Sequence, residues 1–147
     1  MEKPTDAVIL VPSLNPDDKM LSLIKGLHNA GFQKIVCVDD GSKDEYRHYF
    51  AQAHTEYGCD VLRHCINMGK GRGIKTGLNY VKNTYPDALG VITVDSDGQH
   101  SVEDTIKCSE AMIAHPDSLI FGCRNFKDEG VPFKSYYGNT ITRGVMK

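Results

Sequence analysis

At 147 residues the chain is the size of one domain and long enough to bury a core, and its 17 basic against 19 acidic residues leave a net charge of -2 with no massed basic patch to recommend nucleic acid as a partner. Apolar runs such as 7–11 and 89–94 are too short to cross a bilayer, and the first six residues lack the apolar stretch of a signal peptide, so a soluble, cytoplasmic protein is expected. Five cysteines (Cys37, Cys59, Cys65, Cys108, Cys123) form no Cys-x-x-Cys pair and six histidines are dispersed, which predicts reduced thiols and argues against a zinc site.

Ala7-Val8-Ile9-Leu10-Val11 is a continuous apolar run closed by Pro12, and it predicts a strand buried on both faces. Asp17 to Ala30 carries Leu21, Ile24, Leu27 and His28 at helical spacing, with acidic residues in its first turn and Gly31 just past its end. Ile35-Val36-Cys37-Val38 is a second buried strand, closed by Asp39-Asp40-Gly41-Ser42. A helix over 44–57, a short strand over 60–63, a helix over 71–83 and a strand over 89–94 follow. Ser101, with Asp104 three residues on, caps a helix over 102–114 that leads into a strand at Ser118–Phe121. Such alternation predicts an α/β fold: one domain over 1–147, a mostly parallel central sheet with helices on its faces in three layers, and right-handed crossovers.

Ligands of such sheets bind beyond the carboxyl ends of the strands. Those ends carry Pro12-Ser13-Leu14-Asn15, Asp39-Asp40-Gly41-Ser42, Asp95-Ser96-Asp97-Gly98-Gln99 and Gly122-Cys123-Arg124. Asp-x-Asp alone is a common solvated turn. Gln99, a neutral oxygen ligand, and the other clusters on the same edge favour a divalent cation held by Asp97 and Gln99, with Asp95 nearer a nucleotide. Asp39 suits a ribose hydroxyl or base edge, while Ser42 structures the turn. Asn67-Met68-Gly69-Lys70-Gly71-Arg72-Gly73 is a glycine-rich turn into a helix, able to favour an anion, yet it matches neither the Walker loop nor Gly-x-Gly-x-x-Gly and reads equally well as a turn needing positive φ. Arg124 would set a fixed cation at a diphosphate; Lys134 and Arg143 are weaker candidates, and Arg72 and Lys75 read as a solvated helix face.

In order, Val11-Pro12-x-x-Asn15, Val38-Asp39-Asp40-Gly41-Ser42, Asn67-x-Gly69-Lys70-Gly71, Asp95-Ser96-Asp97-Gly98-Gln99-His100 and Gly122-Cys123-Arg124 resemble glycosyltransferase family 2 over almost the whole chain. The chain is most similar to the dolichyl-phosphate mannosyltransferase-like and polyprenyl-phosphate branch, whose Asp-Ala-Asp-Gly-Gln-His segment is matched except at Ser96, and Val131-Pro132 with Tyr137-Gly138-Asn139 also fits that branch. The resemblance implies a GT-A fold, a nucleoside diphosphate sugar donor and inversion at the anomeric carbon. By position it sets Pro12, Leu14, Asp39, Asp95 and Ser96 around the nucleotide, gives Asp97 and Gln99, with Asp95 beside them, a magnesium or manganese ion, and brings Arg124 to the diphosphate. Asn15, Asp40, Lys70 and Lys134 complete the expected donor-binding set; Asp97 and Arg124 form the expected catalytic pair.

The first loop, Pro12-Ser13-Leu14-Asn15-Pro16, departs from the family's Pro-x-Tyr-Asn-Glu by losing a ring and a carboxylate. The implied acceptor is a lipid phosphate or a glycan; a lipid phosphate is itself an anion and needs no separate protein base. The family's later acceptor-side motifs are absent, so the expectation is the donor-binding portion of a longer enzyme that meets the cytoplasmic face of a membrane through segments outside this chain. Two alternatives stand beside it. A metal-dependent sugar nucleotidyltransferase should carry a glycine- and arginine-rich loop after its first strand, which Pro12–Pro16 is not, and a catalytically silent nucleotide-binding module fits the altered first loop.

Overall fold

A computed structural model describes residues 3–122. After a short 3-10 turn at Pro4–Asp6 the order is β1 (Val8–Ser13), α1 (Asp18–Asn29), β2 (Ile35–Asp39), a 3-10 turn at Asp44–Tyr46 running into α2 (Arg47–Tyr57), β3 (Asp60–Arg63), α3 (Lys70–Thr84), β4 (Val91–Thr93) and α4 (Val102–Ala114). All pairings among the described residues are parallel, in the order β3-β2-β1-β4, with Ile9 beside both Ile35 and Ile92. Although β4 is short, Val8 N–H to Gly90 O and Val94 N–H to Leu10 O, both 2.9 Å, carry its ladder over 90–94.

β1 and β2 are buried throughout, because their successive side chains enter two different cores. Ile9 and Val11 join Met20, Leu23, Ile24, Leu27, Phe32, Phe50 and Ala53 beneath α1 and α2, where Val102 and Ile106 of α4 also pack. Val8 and Leu10 meet Val36, Val38 and Val81 beneath α3. The result is three layers, as the alternating sequence predicts, and each core aliphatic taken wholly from water contributes about 1.5–3 kcal/mol.

The helices carry the signals that start and orient them. Asp17 caps α1, its Oδ1 accepting Lys19 N–H at 2.9 Å, and Ser101 caps α4, its Oγ accepting Asp104 N–H at 3.1 Å. The buried stripe of α1 is Met20, Leu23, Ile24 and Leu27; Ile24 and Leu27 are residues of the expected stripe, Met20 and Leu23 join them, and Leu21 and His28 are half-buried at its flank. On α3 the buried face is Gly73, Gly77 and Val81. Gly77 lets the helix backbone approach the sheet so closely that a Cβ there would stand 2.2 Å from Leu10 Cδ1.

Ser118–Phe121, expected as a strand, joins no ladder among the described residues, and Leu119 and Phe121 are exposed. Apolar residues suffice for a strand only where a neighbour supplies the hydrogen bonds, and among the described residues β4 pairs with β1 alone. Cys123, Arg124, Lys134, Arg143 and the Val131–Asn139 segment lie outside the described residues. Cys37, Cys59, Cys65 and Cys108 are free thiols; the adjacent Cys59 thiol and complete burial push the Cys37 thiol well above its ordinary range. No helix among the described residues is long and apolar enough to cross a membrane.

Candidate functional site

The connections through α1 and α2 lie on one face of the sheet and the connection through α3 on the other, so the chain paths diverge between β1 and β4. A crevice is expected at the carboxyl ends there. A cleft of about 350 Å³ occupies that position. Its walls are Pro12, Ser13 and Leu14 from the end of β1, Asp40 from just past β2, Asn67, Gly69 and Lys70 from the approach to α3, and Asp95, Ser96 and Asp97 from beyond the end of β4.

The loops around the cleft are tied to one another. Asn15, at φ +48°, donates its N–H to Ser42 Oγ at 2.8 Å and accepts Lys43 N–H on Oδ1 at 3.0 Å. Asp40 N–H donates to Ser13 O at 2.9 Å, and the hydroxyls of Ser13 and Ser96 share a 2.9 Å hydrogen bond. Gly41, at φ +77°, sits so tightly on the next loop that a Cβ would lie 2.3 Å from the carbonyl carbon of Ile66.

Both carboxylates of the β2 end look inward. Asp39 is 1% exposed, accepts Ser42 N–H on Oδ1 at 2.8 Å, and has Arg63 Nη1 3.2 Å from Oδ2; it is not among the cleft-lining residues. Arg63 also donates to Ser42 O at 3.2 Å. Asp40 lines the cleft but spends its oxygens on the protein: Oδ1 bonds His64 Nδ1 and Met68 N–H, each at 2.8 Å, and Oδ2 accepts Gly69 N–H at 2.9 Å. The far nitrogen of His64 bonds Thr76 Oγ1 of α3 at 2.9 Å. Burial alone would push the Asp40 carboxyl up; the hydrogen bonds from His64, Met68 and Gly69, with attraction to the ring, outweigh it and hold the group below its ordinary 3.8. Arg63 and His64 escaped the sequence reading, although both stand where β3 runs out.

The β4 end faces the cleft. Asp95 is half-buried; its N–H donates to His100 Nδ1 at 2.8 Å, its Oδ2 lies 3.9 Å from His100 Nε2, and its Oδ1 is ion-paired with Lys70 Nζ. Asp97 is exposed and accepts Gln99 N–H on Oδ1 at 3.0 Å, in a turn that Gly98 permits at φ +86°. Asp97 and Gln99 thus share one turn, with Asp97 on the cleft wall and Gln99 outside the lining set. Among the described residues no three or more His, Cys, Asp and Glu side chains gather into a metal-ligating group. Two hard carboxylates do suit an ion of the magnesium type, which takes one or two protein carboxylates and completes its shell from phosphates and water. Lys70 opens α3, so the positive end of that helix dipole lies at the same cleft, while Arg72 and Lys75 are exposed and outside its lining.

The family model described as glycosyl transferase family 2 matches residues 8–144. An uncharacterized protein of Methanocaldococcus jannaschii, MJ1222, is 30% identical over 116 residues, which cover 79% of this chain and 45% of that one. A UDP-N-acetylglucosamine–dolichyl-phosphate N-acetylglucosaminyltransferase of Methanococcus voltae is 25% identical, over 89% of this chain and 58% of that one. The chain therefore spans about half the length of these curated relatives. Among solved structures, Staphylococcus aureus TarS 1-349 superposes with a TM-score of 0.57 at 20% identity, over 82% of this chain and 39% of that one, a likeness of fold that agrees with the GT-A architecture expected from the sequence.

Proposed function

Because the chain belongs to glycosyl transferase family 2, we propose that it forms the donor-binding side of an inverting glycosyltransferase that moves a sugar from a nucleoside diphosphate to a polyprenyl phosphate. The observation that carries this reading is the cleft at the β1–β4 switch point, where Asp95 and Asp97 on one wall face Lys70 and the start of α3 on another. The name of the Methanococcus voltae relative supports a lipid-phosphate acceptor. A lipid-phosphate acceptor sets this reaction at the cytoplasmic face of a membrane.

In this reading Pro12, Ser13 and Leu14 form the wall against the nucleoside, and Lys70 with the start of α3 draws the diphosphate. Asn15, Asp39 and Asp40 act through the loops they hold. Asp97, with Asp95 beside it and Gln99 on the same turn, would hold magnesium or manganese; when bound, that ion supplies stabilisation of the charge growing on the departing diphosphate. A phosphate acceptor arrives already anionic, so attack needs no protein base.

A thermal-shift and calorimetric screen of GDP-, UDP- and dTDP-sugars, with and without Mn²⁺, tests the proposal. One donor is expected to bind in a metal-dependent manner, and Asp97→Ala should remove that dependence. A folded sample that responds to no donor in the panel would leave a silent module as the better reading.

A further inference from the structure

We propose that Lys70 is a resident competitor of the divalent ion: its ammonium occupies Asp95 until an anionic donor draws it away. The inference rests on the reading of the cleft as a donor site and concerns how that site is loaded.

Lys70 and Asp95 come from different walls, the first residue of α3 and the residue after the β4 ladder, and they meet as an ion pair across the cleft. The pair is open to water, with the lysine side chain 59% and the aspartate side chain 26% exposed. Such a pair adds little to stability, so its consequence lies in what it occupies. Asp95 has nitrogen at both oxygens, Lys70 Nζ on Oδ1 and His100 Nε2 3.9 Å from Oδ2, while Asp97 engages the Gln99 amide through Oδ1.

A dication approaching Asp97 from the cleft therefore meets a lysine charge already seated on the second carboxylate. It must displace that charge or bind beside it, and either lowers its affinity about fivefold or more. A diphosphate removes the obstacle from the other side, because it offers Lys70 a better anion and brings oxygen ligands of its own. Ion and donor are then taken up together, and the ion alone is held poorly.

The test is Mn²⁺ binding, followed by the electron paramagnetic resonance of the free aqua ion as MnCl₂ is added without nucleotide. Lys70→Met should bind Mn²⁺ about fivefold more tightly than the wild type, Lys70→Arg should stay within about twofold of it, and Asp95→Asn placed on Lys70→Met should cancel the gain. With UDP or GDP present, the factor by which nucleotide tightens Mn²⁺ should shrink in Lys70→Met. Unchanged or weaker Mn²⁺ affinity in Lys70→Met, no binding by either protein, or a gain that survives Asp95→Asn would each overturn the proposal. A gain in Mn²⁺ affinity with no response to any nucleoside diphosphate sugar keeps the competition and removes the donor reading; a donor response without the gain does the reverse.

Discussion

Asp40 shows how much one side chain decides. Its two oxygens serve the His64 ring and the amides of Met68 and Gly69, so the approach to α3, Lys70 included, is shaped from beneath by a buried carboxylate. Asp40→Asn keeps the size but leaves a single acceptor oxygen for these donors, which costs about 1–3 kcal/mol at neutral pH. The folded Asp40 carboxyl lies below its ordinary 3.8. Its contribution is therefore complete above that value and disappears as the pH falls through the lower folded one. Urea unfolding followed by circular dichroism should show wild-type stability dropping below about pH 4. Asp40→Asn should flatten that part of the profile, and an unchanged slope would show that the carboxylate is not the source. Asp97→Ala should behave differently: Asp97 is exposed, and its loss is expected to leave the melting temperature nearly unchanged while removing the Mn²⁺ response.

Among the elements, tolerance is set by how closely backbones approach. Gly77→Ala puts a methyl group into Leu10, which is fully buried, so the side chain or the helix must shift within a packed core. Overpacking of about 1–3 kcal/mol outweighs the gain in helix propensity of up to about 1 kcal/mol, so denaturant unfolding should register a net loss. Gly41→Ala combines a left-handed backbone with a collision against the Ile66–Asn67 peptide, and should cost more than Gly77→Ala in the same assay. Replacing the α4 cap, Ser101→Ala, should cost about 1 kcal/mol. The order and type of these elements were legible in the sequence, because uninterrupted apolar runs such as 7–11 and capped periodic stretches such as 102–114 have few alternative readings. The 118–121 run was not legible, since pairing is a property of neighbours and a strand cannot be read from one side of its ladder. On α1 the spacing found Ile24 and Leu27 but not Met20 and Leu23, for a related reason: those two are chosen by where the sheet lies.

At the scale of the whole molecule, the position of the cleft was readable before its wiring. Strand ends in an alternating α/β chain must point to one edge, so Pro12, Asp40, Asp95 and Asp97 could be assigned to a common rim from order alone. What they do there depends on partners 24 to 83 residues away, such as His64 for Asp40 and Ser13 for Ser96, and no local pattern announces those. If the cleft takes donor and ion together, a bound pair must stabilise the entire fold by mass action. A matched sugar nucleotide with Mn²⁺ should raise the melting temperature, and chelation with EDTA should return it to the ligand-free value; a shift that survives EDTA would mean the nucleotide binds without the ion.

The tight seat of Gly41 against the Ile66–Asn67 peptide reaches beyond stability. With Asn15 latched to Ser42, and Asp40 gripping Met68 and Gly69, the loops beneath the cleft are tied to one another in the ligand-free fold. The entropy of ordering those segments is surrendered when the polypeptide folds, so little of a newcomer's interaction energy is diverted to arranging its host.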